Sequence, residues 1–151
     1  MKRLAMVLAL LGASVAGATA AASDVPVYGY TVTHTWPHDT HAYTEGLFYL
    51  DGYLYEGTGN VGQSFVRKVD LQSGKVLQQQ PTPGPGFFGE GIVAWKDRLI
   101  ELTWRGQQGF VFDLATLKPL ARFSYPGEGW GLTSDGTHLL MSDGTPTLRR
   151  L

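Results

Sequence analysis

Apolar and polar positions along this chain fall into three copies of one pattern. Tyr43-Thr44-Glu45-Gly46-Leu47 leads into Leu54-Tyr55-Glu56-Gly57-Thr58-Gly59, and Phe88-Gly89-Glu90-Gly91-Ile92 leads into Leu99-Ile100-Glu101-Leu102-Thr103-Trp104. The third copy runs from Glu128-Gly129-Trp130-Gly131-Leu132 into Leu139-Leu140-Met141-Ser142-Asp143-Gly144. Gly46, Gly91 and Gly131 lie 45 and then 40 residues apart, and Leu54, Leu99 and Leu139 keep that spacing. Short strands joined by tight turns and repeated every ~40–50 residues predict the blades of a β-propeller, an all-β architecture.

Within each copy the alternation predicts individual strands. The first strand after the leader is expected over Tyr28–Trp36, rich in β-branched and aromatic residues and ended by Pro37. A hairpin follows, Leu47–Leu50 and Tyr53–Glu56, with Asp51-Gly52 as its two-residue turn. Phe65–Asp70 is the third strand of the unit and Val76–Gln78 begins the fourth. The second unit repeats this order with Ile92–Trp95, Arg98–Thr103, Phe110–Asp113 and Leu120–Phe123, so that Asp70 and Asp113 end equivalent strands. The third opens with Leu132–Ser134 and Thr137–Met141 and reaches only its third strand by Leu151. Pro81–Gly86 is expected to be a stiff loop between units one and two, and no stretch carries a helical period.

Residues 1–22 stand outside this pattern. Lys2 and Arg3, an apolar run from Leu4 to Val15 and the small-x-small site Ala18-Thr19-Ala20 make a secretory signal peptide. The run is shorter than a bilayer-spanning helix, so no stable membrane anchor is expected. The mature chain, residues 23–151, should be exported to the periplasm or secreted. The chain has no cysteine, which excludes thiol chemistry and disulfide support in that compartment. A formal net charge of −1 with interspersed signs offers no basic patch, and nucleic acid is not an expected partner.

A propeller closes as a ring of four or more blades, and an unclosed one leaves long strand edges exposed. The chain holds two and a half to three blades' worth of residues. It is therefore expected to be the N-terminal part of a larger propeller, or to close by association, and to be aggregation-prone and nearly inactive without the rest.

The ordered motif set resembles the glutamine cyclotransferase family of plant and bacterial glutaminyl-peptide cyclotransferases. The resemblance is carried by His38-Asp39, Ala42–Leu47, Leu54–Gly59, Gly62-Gln63-Ser64, Val69-Asp70-Leu71, Phe88–Gly91, Leu102-Thr103-Trp104, Tyr125–Leu132 and Met141–Gly144. It implies a five-bladed propeller and conversion of the N-terminal glutamine of peptides or proteins to pyroglutamate, with release of ammonia. By the same resemblance Glu56 is expected to be the catalytic carboxyl, with Trp104 and Trp130 walling the substrate side chain. Glu45, at a position often filled by glutamine in the family, is a candidate for binding the substrate amine. The asparagine, further acid and lysine of the family's later blades have no counterpart in this sequence. Such chemistry needs one proton carrier that serves as base toward the α-amine and as acid toward ammonia.

Other readings compete at each of these positions. Glu56 and Glu101 are equivalent by repeat, and both could simply cap strands. Glu90 and Glu128 are expected to be structural, and Trp36 and Trp95 to pack in the core or between blades. His34, His38 and His41 sit in one loop that does not converge on a metal, so no metal site and no required cofactor are expected, while a structural calcium held by loop oxygens stays open. The rival function is a non-catalytic exported propeller that binds peptides or glycans in its central channel.

Overall fold

A computed structural model describes residues 25–151. The signal peptide read over residues 1–22 lies outside them. The chain divides into a segment ending at Thr33 and a unit running from His34 to Leu151. The unit holds eleven strands, and no helix occurs among the described residues.

Blade one is a four-stranded antiparallel meander of β1 (Thr44–Leu50), β2 (Tyr53–Thr58), β3 (Phe65–Asp70) and β4 (Val76–Pro81). Blade two repeats it with β5 (Gly89–Trp95), β6 (Arg98–Thr103), β7 (Gln108–Asp113) and β8 (Pro119–Ser124). Blade three is three-stranded: β9 (Leu132–Ser134), β10 (Leu139–Met141) and β11 (Arg149–Arg150). This is part of a β-propeller, as the repeat predicted.

Turn chemistry makes the meanders. Asp51 and Gly52 both take positive φ, 50° and 89°, the geometry of a two-residue hairpin turn between right-twisted strands. At the far end of β3, Asp70 Oδ1 accepts from the Ser73 amide at 2.8 Å and its hydroxyl at 2.6 Å. At the end of β7, Asp113 Oδ1 takes the Thr116 amide and hydroxyl at 2.8 and 2.7 Å. These two aspartates do the same work in successive blades, as their equivalence implied.

The inner strands β1, β5 and β9 pack side by side, and β1 and β5 each carry a glycine, Gly46 and Gly91, where the next blade comes closest. A Cβ on Gly46 would lie 2.6 Å from the Ile92 amide nitrogen, and one on Gly91 would lie 2.4 Å from the Trp130 carbonyl oxygen. The Gly91 amide donates to that same carbonyl at 2.9 Å, joining blades two and three. Between blades one and two the core is Tyr55, Val66, Ile92, Leu99, Phe110, Phe112 and Leu117. A second cluster, Leu102, Tyr125 and Met141, fills the space between blades two and three.

Two expectations need correction. Tyr28–Trp36 forms no strand: Tyr28 and Tyr30 are 85% and 92% exposed. Strand propensity needs a ladder to join, and no described residue pairs with this stretch. Trp36 is correspondingly half-exposed and stacks on His34 instead of packing in a core. The second concerns Pro81, placed in the loop by its sequence, which ends β4. As the last residue of an edge strand it gives up no ladder donor.

Candidate active site

The inner strands begin in irregular backbone. The β1–β2 ladder shifts register between Thr44 and Gly46, and the β5–β6 ladder shifts between Gly89 and Ile92. Glu45 is caught in the first of these shifts, and Glu90 with Gly91 in the second. A bulge re-aims its side chain out of the regular alternation, and both glutamates line one cavity of about 370 Å³ together with Tyr43, Phe88, Trp104 and Trp130.

Aromatic rings build the walls. Tyr43 meets Phe88 edge-on, with centroids 6.0 Å apart, and Phe88 meets Trp104 likewise at 5.8 Å. Backbone bonds fix the two tryptophans: the Trp104 amide donates to the Phe88 carbonyl at 3.0 Å, and the Trp130 amide to the Ser142 carbonyl at 3.0 Å. Gly144 carries no side chain because the Trp130 ring lies where one would stand, 2.6 Å from the ideal Cβ position.

This environment acts on the two carboxyls differently. Burial pushes the Glu45 carboxyl above its usual range. Glu90 is pushed up to about 7, first by burial and then by the negative charges of Glu45 and Glu128. Among the described residues no arginine, lysine or histidine lines the cavity to offset them. A carboxyl that titrates near neutrality among apolar walls can take a proton and return it.

Glu56 is elsewhere. It lies on β2 with its side chain 1% exposed and both carboxyl oxygens engaged. Arg67 Nε donates to Oε2 at 2.6 Å, across the ladder pair Glu56–Arg67. His38 Nε2 sits 3.0 Å from Oε1, and the Thr44 hydroxyl donates to the same oxygen. Arg67 extends the cluster through Nη1, which donates to Asp39 Oδ2 at 3.0 Å. The guanidinium, imidazole and hydroxyl around Glu56 thus engage both of its carboxyl oxygens.

Of the residues expected at the site, the cavity brings together Glu45, Trp104 and Trp130 and leaves out Glu56. It adds Tyr43, Phe88 and Glu90. The signal for Glu90 was present in the repeat, since Glu90 stands 45 residues after Glu45 and each precedes its inner-strand glycine. Among the described residues no group of three or more histidine, aspartate or glutamate side chains is arranged to hold a metal ion.

The sequence model of the glutamine cyclotransferase family matches residues 4–151. The chain is 42% identical over 122 residues to a glutaminyl-peptide cyclotransferase of Arabidopsis thaliana, covering 80% of this chain and 38% of that protein. Among solved structures it matches the glutaminyl cyclase of Myxococcus xanthus with a TM-score of 0.68 and 31% identity, over 76% of this chain and 48% of that one. The chain thus spans less than half the length of both relatives.

Proposed function

The chain belongs to the glutamine cyclotransferase family, and from that premise we propose that it closes the N-terminal glutamine of peptides and proteins to pyroglutamate, with Glu90 as the proton carrier. The α-amine nitrogen attacks the side-chain amide carbon, and Glu90 takes the proton that nitrogen sheds. The tetrahedral centre then expels its amide nitrogen, which receives the proton from Glu90 and leaves as ammonia. Glu45 accepts hydrogen bonds from the incoming amine, and the rings of Trp104 and Trp130 flank the glutamine side chain and exclude water.

The observation that carries this reading is the position of Glu90: a carboxyl at about 7, inside an aromatic cavity whose lining holds no cation. The role first expected of Glu56 passes to Glu90, because the Glu56 oxygens are spent on Arg67, His38 and Thr44. The step needs one carboxyl and no cofactor, so a chelator should leave turnover intact. With the leader read over residues 1–22, the protein acts outside the cytoplasm, in the periplasm or after secretion.

Ammonia release from a glutamine-initial dipeptide tests the proposal. Glu90→Gln keeps shape and removes proton transfer, so kcat should fall by about 10²-fold or more, while peptide binding survives. An unchanged kcat would remove Glu90 from the mechanism. Absence of ammonia release from a full-length version of the chain at any pH between 6 and 9 would sink the activity.

A further inference from the structure

One carboxylate holds the two tryptophans of the cavity. Glu128 lies between β8 and β9, and its Oε2 accepts from both indoles, Trp104 Nε1 at 2.6 Å and Trp130 Nε1 at 2.9 Å. Its Oε1 accepts from Arg105 Nε at 3.0 Å, and the Arg105 guanidinium lies 3.9 Å from the Trp104 ring centroid. Trp104 follows β6 of blade two and Trp130 precedes β9 of blade three. A single side chain therefore ties residues of two blades into one wall. Bonds to both indoles, Trp130 first, and to Arg105 hold the Glu128 carboxyl below its usual range, so it stays an acceptor.

From this geometry we infer that Glu128 is a positioning residue for the cyclisation, which locks Trp104 and Trp130 and sets the preference of the cavity for glutamine over glutamate by consuming both indole donors. The inference rests on the reading of this cavity as the cyclisation site. Its first consequence is pre-organisation. Two indole rings already fixed in the free protein need no ordering when the peptide arrives, and that saving appears in binding. Its second is chemical. With both indole N–H groups taken, the polar side-chain groups left in the lining are the carboxyls of Glu45 and Glu90 and the Tyr43 hydroxyl. That lining suits a ligand that brings donors, the α-amine and the primary amide. An N-terminal glutamate would bring a further carboxylate to a cavity with no free cation and no free indole donor.

The experiment compares Glu128→Leu with Glu128→Gln in the full chain. The Gln side chain retains an oxygen that accepts from the indoles, whereas Leu retains none. Without substrate, acrylamide quenching of tryptophan emission should rise in the Leu variant and stay near the parent value in the Gln variant, with far-UV circular dichroism unchanged in both. With a glutamine-initial dipeptide, Leu should raise KM by about tenfold, the scale of one lost charge-assisted bond, with a smaller effect on kcat. The ratio of glutamine to glutamate turnover should fall, and Gln should restore most of both. Where the Leu variant does not fold, Trp104→Phe and Trp130→Phe each keep one aromatic ring and lose the indole donor, and each should raise KM. Parent-like quenching and KM in the Leu variant, or in both Phe variants, would overturn the inference, as would a Gln variant as impaired as Leu. A full-length version of the chain that releases no ammonia yet shows the quenching difference would count against the proposed activity and leave the clamp standing.

Discussion

In blade one, Glu56 is buried against a guanidinium that answers it. In blade two, Glu101 occupies the equivalent place on β6, fully buried, and the residue across the ladder is Phe110. Glu101 receives one hydrogen bond, from the Thr82 hydroxyl at 2.8 Å, and its other oxygen meets no hydrogen-bond donor among the described residues. Burial pushes its carboxyl up to about 8. In blade three the same place holds Met141, also fully buried. One buried slot thus accepts an ion pair, a neutral acid and a thioether. The inner-strand pair repeats the asymmetry: Glu45 of blade one is raised by burial alone, and Glu90 of blade two is lifted to about 7. Repeat equivalence locates a carboxyl; its neighbours across the ladder and across the blade boundary decide whether it is charged.

The sharpest way to break this comparison is to remove the answer in blade one. Arg67→Met leaves Glu56 buried with no guanidinium and should destabilise the chain by about 3–5 kcal/mol, read as a shift in urea midpoint at constant slope. Glu56→Leu combined with Arg67→Met removes both charges and should cost clearly less than Arg67→Met alone, because no orphaned charge remains. If the double variant is as unstable as the single one, Glu56 is not held by that pairing.

A somewhat smaller effect should come from blade two. The folded chain holds a proton on Glu101 more tightly than the unfolded chain does, because its carboxyl is raised from an ordinary 4.5 to about 8. Stability from this group is fully present below the unfolded value and is lost as pH climbs through the folded one. The loss should reach on the order of 3 kcal/mol by pH 7. Glu101→Gln keeps an acceptor for Thr82 and cannot ionise, so urea midpoints measured at pH 5, 6.5 and 8 should converge relative to the parent. Parallel pH profiles for the two proteins would show that Glu101 is not the source of the slope.

The strands were legible because local chemistry made them. Asp51-Gly52, Asp70 and Asp113 dictate their turns through bonds to their own neighbours, and the alternation in Phe65–Asp70 places β3 to the residue. Tyr28–Trp36 failed because a strand is made by its partner, and partners are not written in the segment itself. The site was half legible for a similar reason. Glu45, Trp104 and Trp130 carry their position in the motif, and the cavity contains all three. The ion pair around Glu56 was not legible because nothing near it in sequence announces Arg67, which reaches it only through the β2–β3 register. Glu128 was read only as structural because its two indole partners arrive from separate blades.

The smallest expected effect separates the two inner-strand carboxyls. Besides burial, Glu90 feels the charge of Glu45, from the facing strand, and that of Glu128, which Arg105 partly offsets. Glu45→Gln removes the first of those charges, so the Glu90 proton becomes easier to lose and its titration moves toward the ordinary carboxyl range. Two carboxyls this close titrate as a pair, so the apparent value of the acid limb belongs to both. The acid limb of kcat/KM should therefore shift to lower pH, by less than about one unit for one neighbouring charge beside a still-buried group. KM should rise at the same time, since the amide left at position 45 accepts more weakly from an ammonium than a carboxylate does. A pH-dependent change in tryptophan emission, measured without substrate, should move in the same direction, because Trp104 and Trp130 share the cavity with Glu90. An acid limb that stays in place, or moves to higher pH, would mean that Glu45 does not act on the titrating group, and blade two would then raise Glu90 by burial and Glu128 alone.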